Sequence, residues 1–125
     1  MHPTQLITQL AQFTGSETFT RHSLRRSLLM TDGVVFLASA AGAYWLTDAI
    51  ASYQHTDRVL SEHFQVWHLT VDAKTRSATL TMKDGNSDAA MITQAVEYTD
   101  FPLDDITLWL VRDDQHWVLM LPSEY

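Results

Sequence analysis

The hydrophobic pattern of this chain changes period near residue 63. Before that point apolar residues recur at helical spacing, and after it they alternate as in strands. Leu6, Ile7, Leu10 and Phe13 share one side of a segment whose Gln5, Gln9 and Gln12 are polar, so Thr4 to Phe13 reads as a short amphipathic helix. Pro3 suits its start, and Thr14-Gly15-Ser16 ends it. Glu17 to Leu24 is ambiguous, although Thr18, Phe19 and Thr20 favour an extended strand. Residues 31–54, TDGVVFLASAAGAYWLTDAIASYQ, hold a long apolar run rich in small residues that must be buried. Thr31 or Asp32 can cap the helix that begins there, because their side-chain oxygens accept its free N–H groups. Gly42 either splits this helix in two or lets a neighbour pack closely at its middle.

In the second half Gln65, Trp67, Leu69 and Val71 alternate with Phe64, Val66, His68 and Thr70. Ala78, Leu80 and Met82 alternate with Thr79, Thr81 and Lys83. Asp84-Gly85-Asn86 is a turn signal leading towards a strand at Met91 to Tyr98. Ile106 to Val111 and Trp117 to Leu121 are two further strands, joined by a short hairpin loop at Asp113-Asp114-Gln115. Helices followed by sequential strands predict an α+β fold. The expectation is an antiparallel meander of about four to five strands with two to three helices packed on one face. Residues 1–125 are expected to form a single compact domain.

Composition supports a folded domain, with 46% hydrophobic residues and no cysteine. The missing thiols exclude a disulfide scaffold, thiolate metal sites and a cysteine nucleophile. The uncharged run from Gly33 to Thr47 is shorter than the roughly 20 residues a bilayer needs, and Asp48 interrupts it. A buried helix or helix pair is expected there, not a membrane span. The start MHPTQLITQL lacks the basic-then-apolar order of a signal peptide, so a cytoplasmic protein is expected. Net charge is -7, unevenly spread. Six acids oppose seven bases up to Lys83, whereas nine acids oppose Arg112 alone from Asp84 onward. Such a region repels nucleic acid and attracts a basic protein surface.

Four groups of residues carry candidate chemistry. Arg21 and Arg25, four apart, share a face; with His22 and Arg26 they form the basic cluster, able to hold an anion or to pair with Asp100, Asp104 or Asp105. Asp48, expected to be mostly buried, would bond Tyr44 or an arginine, or act as a base in a pocket with Tyr44, Trp45 and His22. A Ser23-His22-Asp48 nucleophile site lacks the tight turn that exposes a nucleophile. The histidines show no metal-ligand spacing, and neither a metal nor a cofactor is expected. Trp67, Trp109 and Trp117 lie in strands, where an exposed tryptophan beside Asp104, Asp105, Asp113 or Asp114 suits a protein interface.

The strings TDGVVFLASAAGAYWLTDAIASYQ at 31–54, FQVWHLTV at 64–71, Asp84-Gly85-Asn86 and YTDFPLDDITLWL at 98–110, with the ending LPSEY, carry a resemblance. The chain resembles a small uncharacterised domain family found in bacterial, plasmid and phage genomes. The resemblance covers nearly the whole chain, implies a mobile-element setting and transfers no catalytic residue. The leading functional expectation is a non-enzymatic protein-binding or regulatory module that engages a basic partner through Asp104, Asp105, Asp113, Asp114 and Trp109 or Trp117. An inhibitor of a nucleic-acid-handling machine is one concrete form; neither nucleic-acid nor membrane binding is expected. The alternative is a small enzyme or anion-binding protein using Arg21, His22, Arg25, Asp48 and Tyr44. A third reading is a homodimer burying the tryptophan-bearing sheet face.

Overall fold

The computed structural model describes residues 2–15 and 18–125. Ser16 and Glu17, assigned by the sequence to a turn and to the start of an extended stretch, lie outside the described residues.

Helix α1 covers Pro3–Leu10; the His2 ring caps it by accepting the Thr4 N–H, and Leu6 and Leu10 are its buried residues. Strands β1 (Phe19–Arg21) and β2 (Leu28–Thr31) form an antiparallel pair. Helix α2 (Asp32–Ala40) starts directly from β2, with Thr31 as its cap: the Thr31 hydroxyl accepts the Val34 N–H. Gly42 does divide the apolar run. It adopts a left-handed φ of 62°, and helix α3 (Tyr44–Tyr53) begins two residues later. A short α4 (Asp57–Leu60) leads into β3 (Phe64–Val71), β4 (Ala78–Lys83), β5 (Ile92–Val96), β6 (Asp105–Asp113) and β7 (His116–Met120). A 3-10 turn over Pro122–Glu124 follows.

The α+β class holds, but the sheet is larger and more mixed than the sequence suggests. It has seven strands in the order β1-β2-β7-β6-β3-β4-β5, and β2 runs parallel to β7. Only β3-β4-β5 is the expected meander; β6 returns to the other side of β3. Strands β1 and β2 have three and four residues, too short for alternation to register. The parallel partner of β2 lies almost ninety residues away at Trp117–Leu119, so no hairpin turn announces it.

The β5–β6 crossover explains the YTDFPL string. Arg76, at a left-handed φ of 58°, donates from Nε to the Thr99 carbonyl at 3.2 Å and from an Nη to the Phe101 carbonyl at 2.7 Å. These bonds seat Phe101 and Leu103 in the core. All four helices contribute to one buried cluster with Trp67, Leu69, Leu80, Met82, Leu108 and Leu110, so they cover one face of the sheet. That cluster is closed by a buried polar network. Gln54 and Gln65 exchange reciprocal amide bonds at 3.0 Å, and the Trp67 indole N–H donates to Gln65 Oε1 at 2.9 Å.

In the loop after β4, Gly85 takes a φ of 86°, and Asp84 Oδ1 accepts the N–H groups of Asn86 and Ser87, both at 2.9 Å. These two bonds hold the Asp84 carboxyl below the usual carboxylate range, the Asn86 bond most of all. A depressed folded-state pKa stabilises the loop above the ordinary carboxylate pKa, and this support is lost as pH falls towards the folded value. Amide exchange at Asn86 and Ser87, followed from neutral to acid pH, should show loss of protection beyond the intrinsic trend. In Asp84→Ala that extra loss should be absent.

Candidate functional site

Alternation in the strands divides the sheet into two unlike faces. Gln65, Trp67, Leu69 and Val71 of β3 turn towards the helices and are buried. Phe64, Val66, His68 and Thr70 turn the other way, as do Asp105, Thr107, Trp109, Val111 and Asp113 of β6. None of these outward residues joins the cluster that the helices bury. The centre of this open face is aromatic. The Phe64 and Trp109 rings lie 5.1 Å apart, and Tyr125 stands edge-on to Trp109 at 5.4 Å and to Phe64 at 6.1 Å. Tyr125 stays 75% exposed.

Tyr125 reaches this position because Glu124 is anchored beside it. The Glu124 carboxylate accepts the Thr31 hydroxyl at 2.6 Å, the Leu121 N–H at 3.0 Å and the Gly33 N–H at 3.1 Å. It therefore sits at the N-terminus of α2, where unpaired N–H groups favour negative charge. The sequence shows no sign of this: Glu124 reads there as one more surface acid, although it is buried.

Acids flank the aromatic centre. Asp113 and Asp114 form the β6–β7 hairpin, with Asp114 at a left-handed φ of 56°. Asp84 precedes Gly85, where a Cβ would come within 3.3 Å of the Phe64 ring. At the far end of β6, Asp105 Oδ2 pairs with His68 Nε2 at 3.1 Å. The four aspartates named from sequence therefore do not form one patch. Asp104 and Asp105 stand about 26 Å from Asp113 and Asp114, eight strand steps along β6. Trp109 lies between them on the open face. Trp117 does not join it: Trp117 faces the helices and is buried, with the Arg112 guanidinium 5.3 Å over its ring and His63 edge-on at 6.0 Å. Its neighbours in the strand, Val118 and Met120, take the outward positions.

The basic cluster folds into a tight turn between β1 and β2. His22 is buried, and its Nδ1 accepts the N–H groups of Leu24 and Arg25 at 3.1 and 3.2 Å. That assigns the proton to Nε2, which donates to Asp48 Oδ1 at 2.8 Å. His22 and Asp48 are thus brought together, with both ring nitrogens already committed. Asp48 itself is not buried as expected: its side chain is 51% exposed, because only its inner oxygen turns towards His22. Its partner is His22, not Tyr44, whose side chain stays largely in solvent. Arg21 donates to the Arg26 carbonyl at 2.9 Å, and Arg25 meets His55 Nδ1 at 3.0 Å. The four basic-cluster residues therefore do not converge on one anion. A cleft of about 110 Å³ lies here between Leu24, Arg25, Asp48, Ala51, Ser52 and His55, and neither Arg21 nor Tyr44 lines it. Among the described residues no hydrogen bond joins Ser23 to His22, and no group of three His, Asp or Glu side chains is placed to hold a metal.

Fold and faces together define a small α+β protein with a helix layer on one side of a mixed sheet and an open aromatic surface on the other. The chain belongs to a family of unknown function, DUF6876, whose profile matches residues 4–125. It is also similar in fold to a protein of unknown function from Enterococcus faecalis seen in a crystal structure, with 19% identity, 86% of this chain and 98% of that chain covered, and a TM-score of 0.56. No curated protein matches the chain significantly. Among the described residues no helix is long and apolar enough to cross a membrane.

Proposed function

We propose that this protein is a non-enzymatic binding module that engages a basic protein partner through its open sheet face. The observation that carries this reading is the Phe64–Trp109–Tyr125 cluster on a face without a helix, with Asp84 and the Asp113–Asp114 hairpin beside it. Aromatic side chains at the centre of a patch supply binding energy by desolvation, and charges around it steer the encounter. The partner that fits is a surface bearing lysine and arginine with aliphatic or planar groups to lie on the rings. A nucleic-acid-handling enzyme presents such a surface, and occupying it would inhibit that enzyme. The basic-cluster pocket supports catalysis less well, because both nitrogens of His22 are already bonded.

A cationic probe tests the location. An arginine- and lysine-rich peptide containing one tryptophan, titrated into the labelled protein, should shift the resonances of Phe64, Trp109, Val111 and Tyr125. Raising salt from about 50 to about 300 mM should weaken the interaction several-fold, because screening shortens the reach of the acids. A glutamate-rich peptide of equal length should leave those resonances in place. Shifts spread over every acidic side chain, with Trp109 unmoved, would count against the proposal.

A further inference from the structure

Among the described residues the arginines of the Arg21–Arg26 turn and the acids around Asp104 do not meet. Among the described residues the ion pairs are His22–Asp48 and His68–Asp105, and no arginine pairs with an acid. The Arg21–Arg26 turn and Asp104 therefore each keep their charge facing outward. Each also has exposed apolar surface beside it. The turn presents Leu24, 78% exposed, between Ser23 and Arg25. It is rigid for its size, because the His22 ring holds the Leu24 and Arg25 amides and Arg21 holds the Arg26 carbonyl. A protruding apolar side chain on a pre-organised turn loses little conformational entropy on docking.

The complementary feature is a groove of about 490 Å³ where α1 and the Pro122 turn meet the start of β6. Its floor is apolar, formed by Ile7, Leu10, Ile106 and Leu121, and Asp104 and Asp105 line it beside them. No lysine or arginine lines it. Ile7 is 58% exposed, so part of the floor is open to a docking side chain. The turn and the groove lie towards opposite ends of the sheet. Ser27 accepts the Trp117 N–H at the start of β7, whereas the groove is lined by residues that follow its end.

We infer that the groove receives the Leu24 turn of a second copy of this chain, with Leu24 in the apolar floor and Arg26 beside Asp104. Because turn and groove are different surfaces, each copy can both offer a turn and receive one. The groove borders the open face at Asp105 and Thr107, but neither Phe64, Trp109 nor Tyr125 lines it.

Two variants of exposed residues separate this contact from others. Leu24→Ser/Arg26→Glu disables the turn and keeps the groove; Ile7→Ser/Asp104→Lys disables the groove and keeps the turn. Sedimentation velocity of the wild-type protein at about 50 mM salt, from roughly 10 µM to 1 mM, should show mass rising with concentration, less so at about 300 mM salt. Each variant alone should sediment as a monomer with an unchanged circular dichroism spectrum. An equimolar mixture of the two should form a 1:1 dimer, since one supplies an intact turn and the other an intact groove. A wild-type protein that stays monomeric throughout would overturn the inference, as would variants that associate like wild type or a mixture that does not pair.

Discussion

Gln65→Leu is expected to be the most destabilising conservative-sized substitution in this protein, lowering stability by about 3 kcal/mol or more and the melting temperature by roughly 10 °C. Gln65 is fully buried, and its amide has five polar partners. Its Nε2 shares two N–H groups among three acceptors, Gln54 Oε1 and the Val59 and Glu62 carbonyls, at 3.0 to 3.1 Å. Its Oε1 accepts from Gln54 Nε2 and from the Trp67 indole N–H. Leucine fills similar volume but strands Gln54 Oε1, one Gln54 N–H and the Trp67 indole N–H, while Gln54 Nε2 keeps only its bond to the Ile50 carbonyl, and each stranded group costs its desolvation. The network ties the end of α3, α4 and the start of β3 into one unit, so the loss is cooperative. Adding Gln54→Leu should cost less than the sum of the two single changes, because it removes one of the stranded groups. Thermal unfolding of the three variants checks this; a Gln65→Leu protein within about 1 kcal/mol of wild type would refute it.

Gly33→Ala is expected to cost roughly 2–4 kcal/mol through crowding and a displaced carboxylate. A Cβ at this position would lie 2.5 Å from Glu124 Oε1 and 2.7 Å from Leu121 Cδ1. Glu124 would be pushed from the Thr31 hydroxyl and the Gly33 and Leu121 N–H groups that hold it. Glu124→Ala removes the same bonds and should cost a similar amount. In the double variant most of the crowding is relieved, so the two effects should combine to clearly less than their sum. Both changes should also alter Trp109 emission, because Tyr125 follows Glu124 and packs against the Trp109 ring. Unchanged emission in a destabilised Glu124→Ala protein would mean that Tyr125 finds Trp109 without its anchor.

The sequence conveys local features of this fold and misses those made at a distance. The Thr31 cap, the break at Gly42 and the alternation in β3 and β4 depend on neighbouring residues, and each appears where the pattern places it. The β2–β7 pairing depends on residues far apart in the chain, which is why the sheet is larger and more mixed than a meander. The site divides in the same way. The sequence offers Trp109 or Trp117 for the exposed position without choosing between them, and the fold turns Trp109 outward and Trp117 into the core. Asp48 reads as buried because it interrupts an apolar run, yet it lies on the solvent side of α3 with one oxygen turned to His22. Tyr125 and Glu124 are invisible as functional residues, because one gains its role from Phe64 and Trp109 and the other from the N-terminus of α2.

A basic partner is proposed to bind the open face at Trp109. Affinity capture with the wild-type protein, Trp109→Ala and Asp113→Lys/Asp114→Lys as parallel baits, from a bacterial lysate at low salt, tests it most directly. All three substitutions are at surface or half-buried positions, so folding can be verified by circular dichroism before capture. The wild-type bait should retain proteins with basic surfaces, and both variants should lose the same ones. Partners retained equally by all three baits would contradict the account.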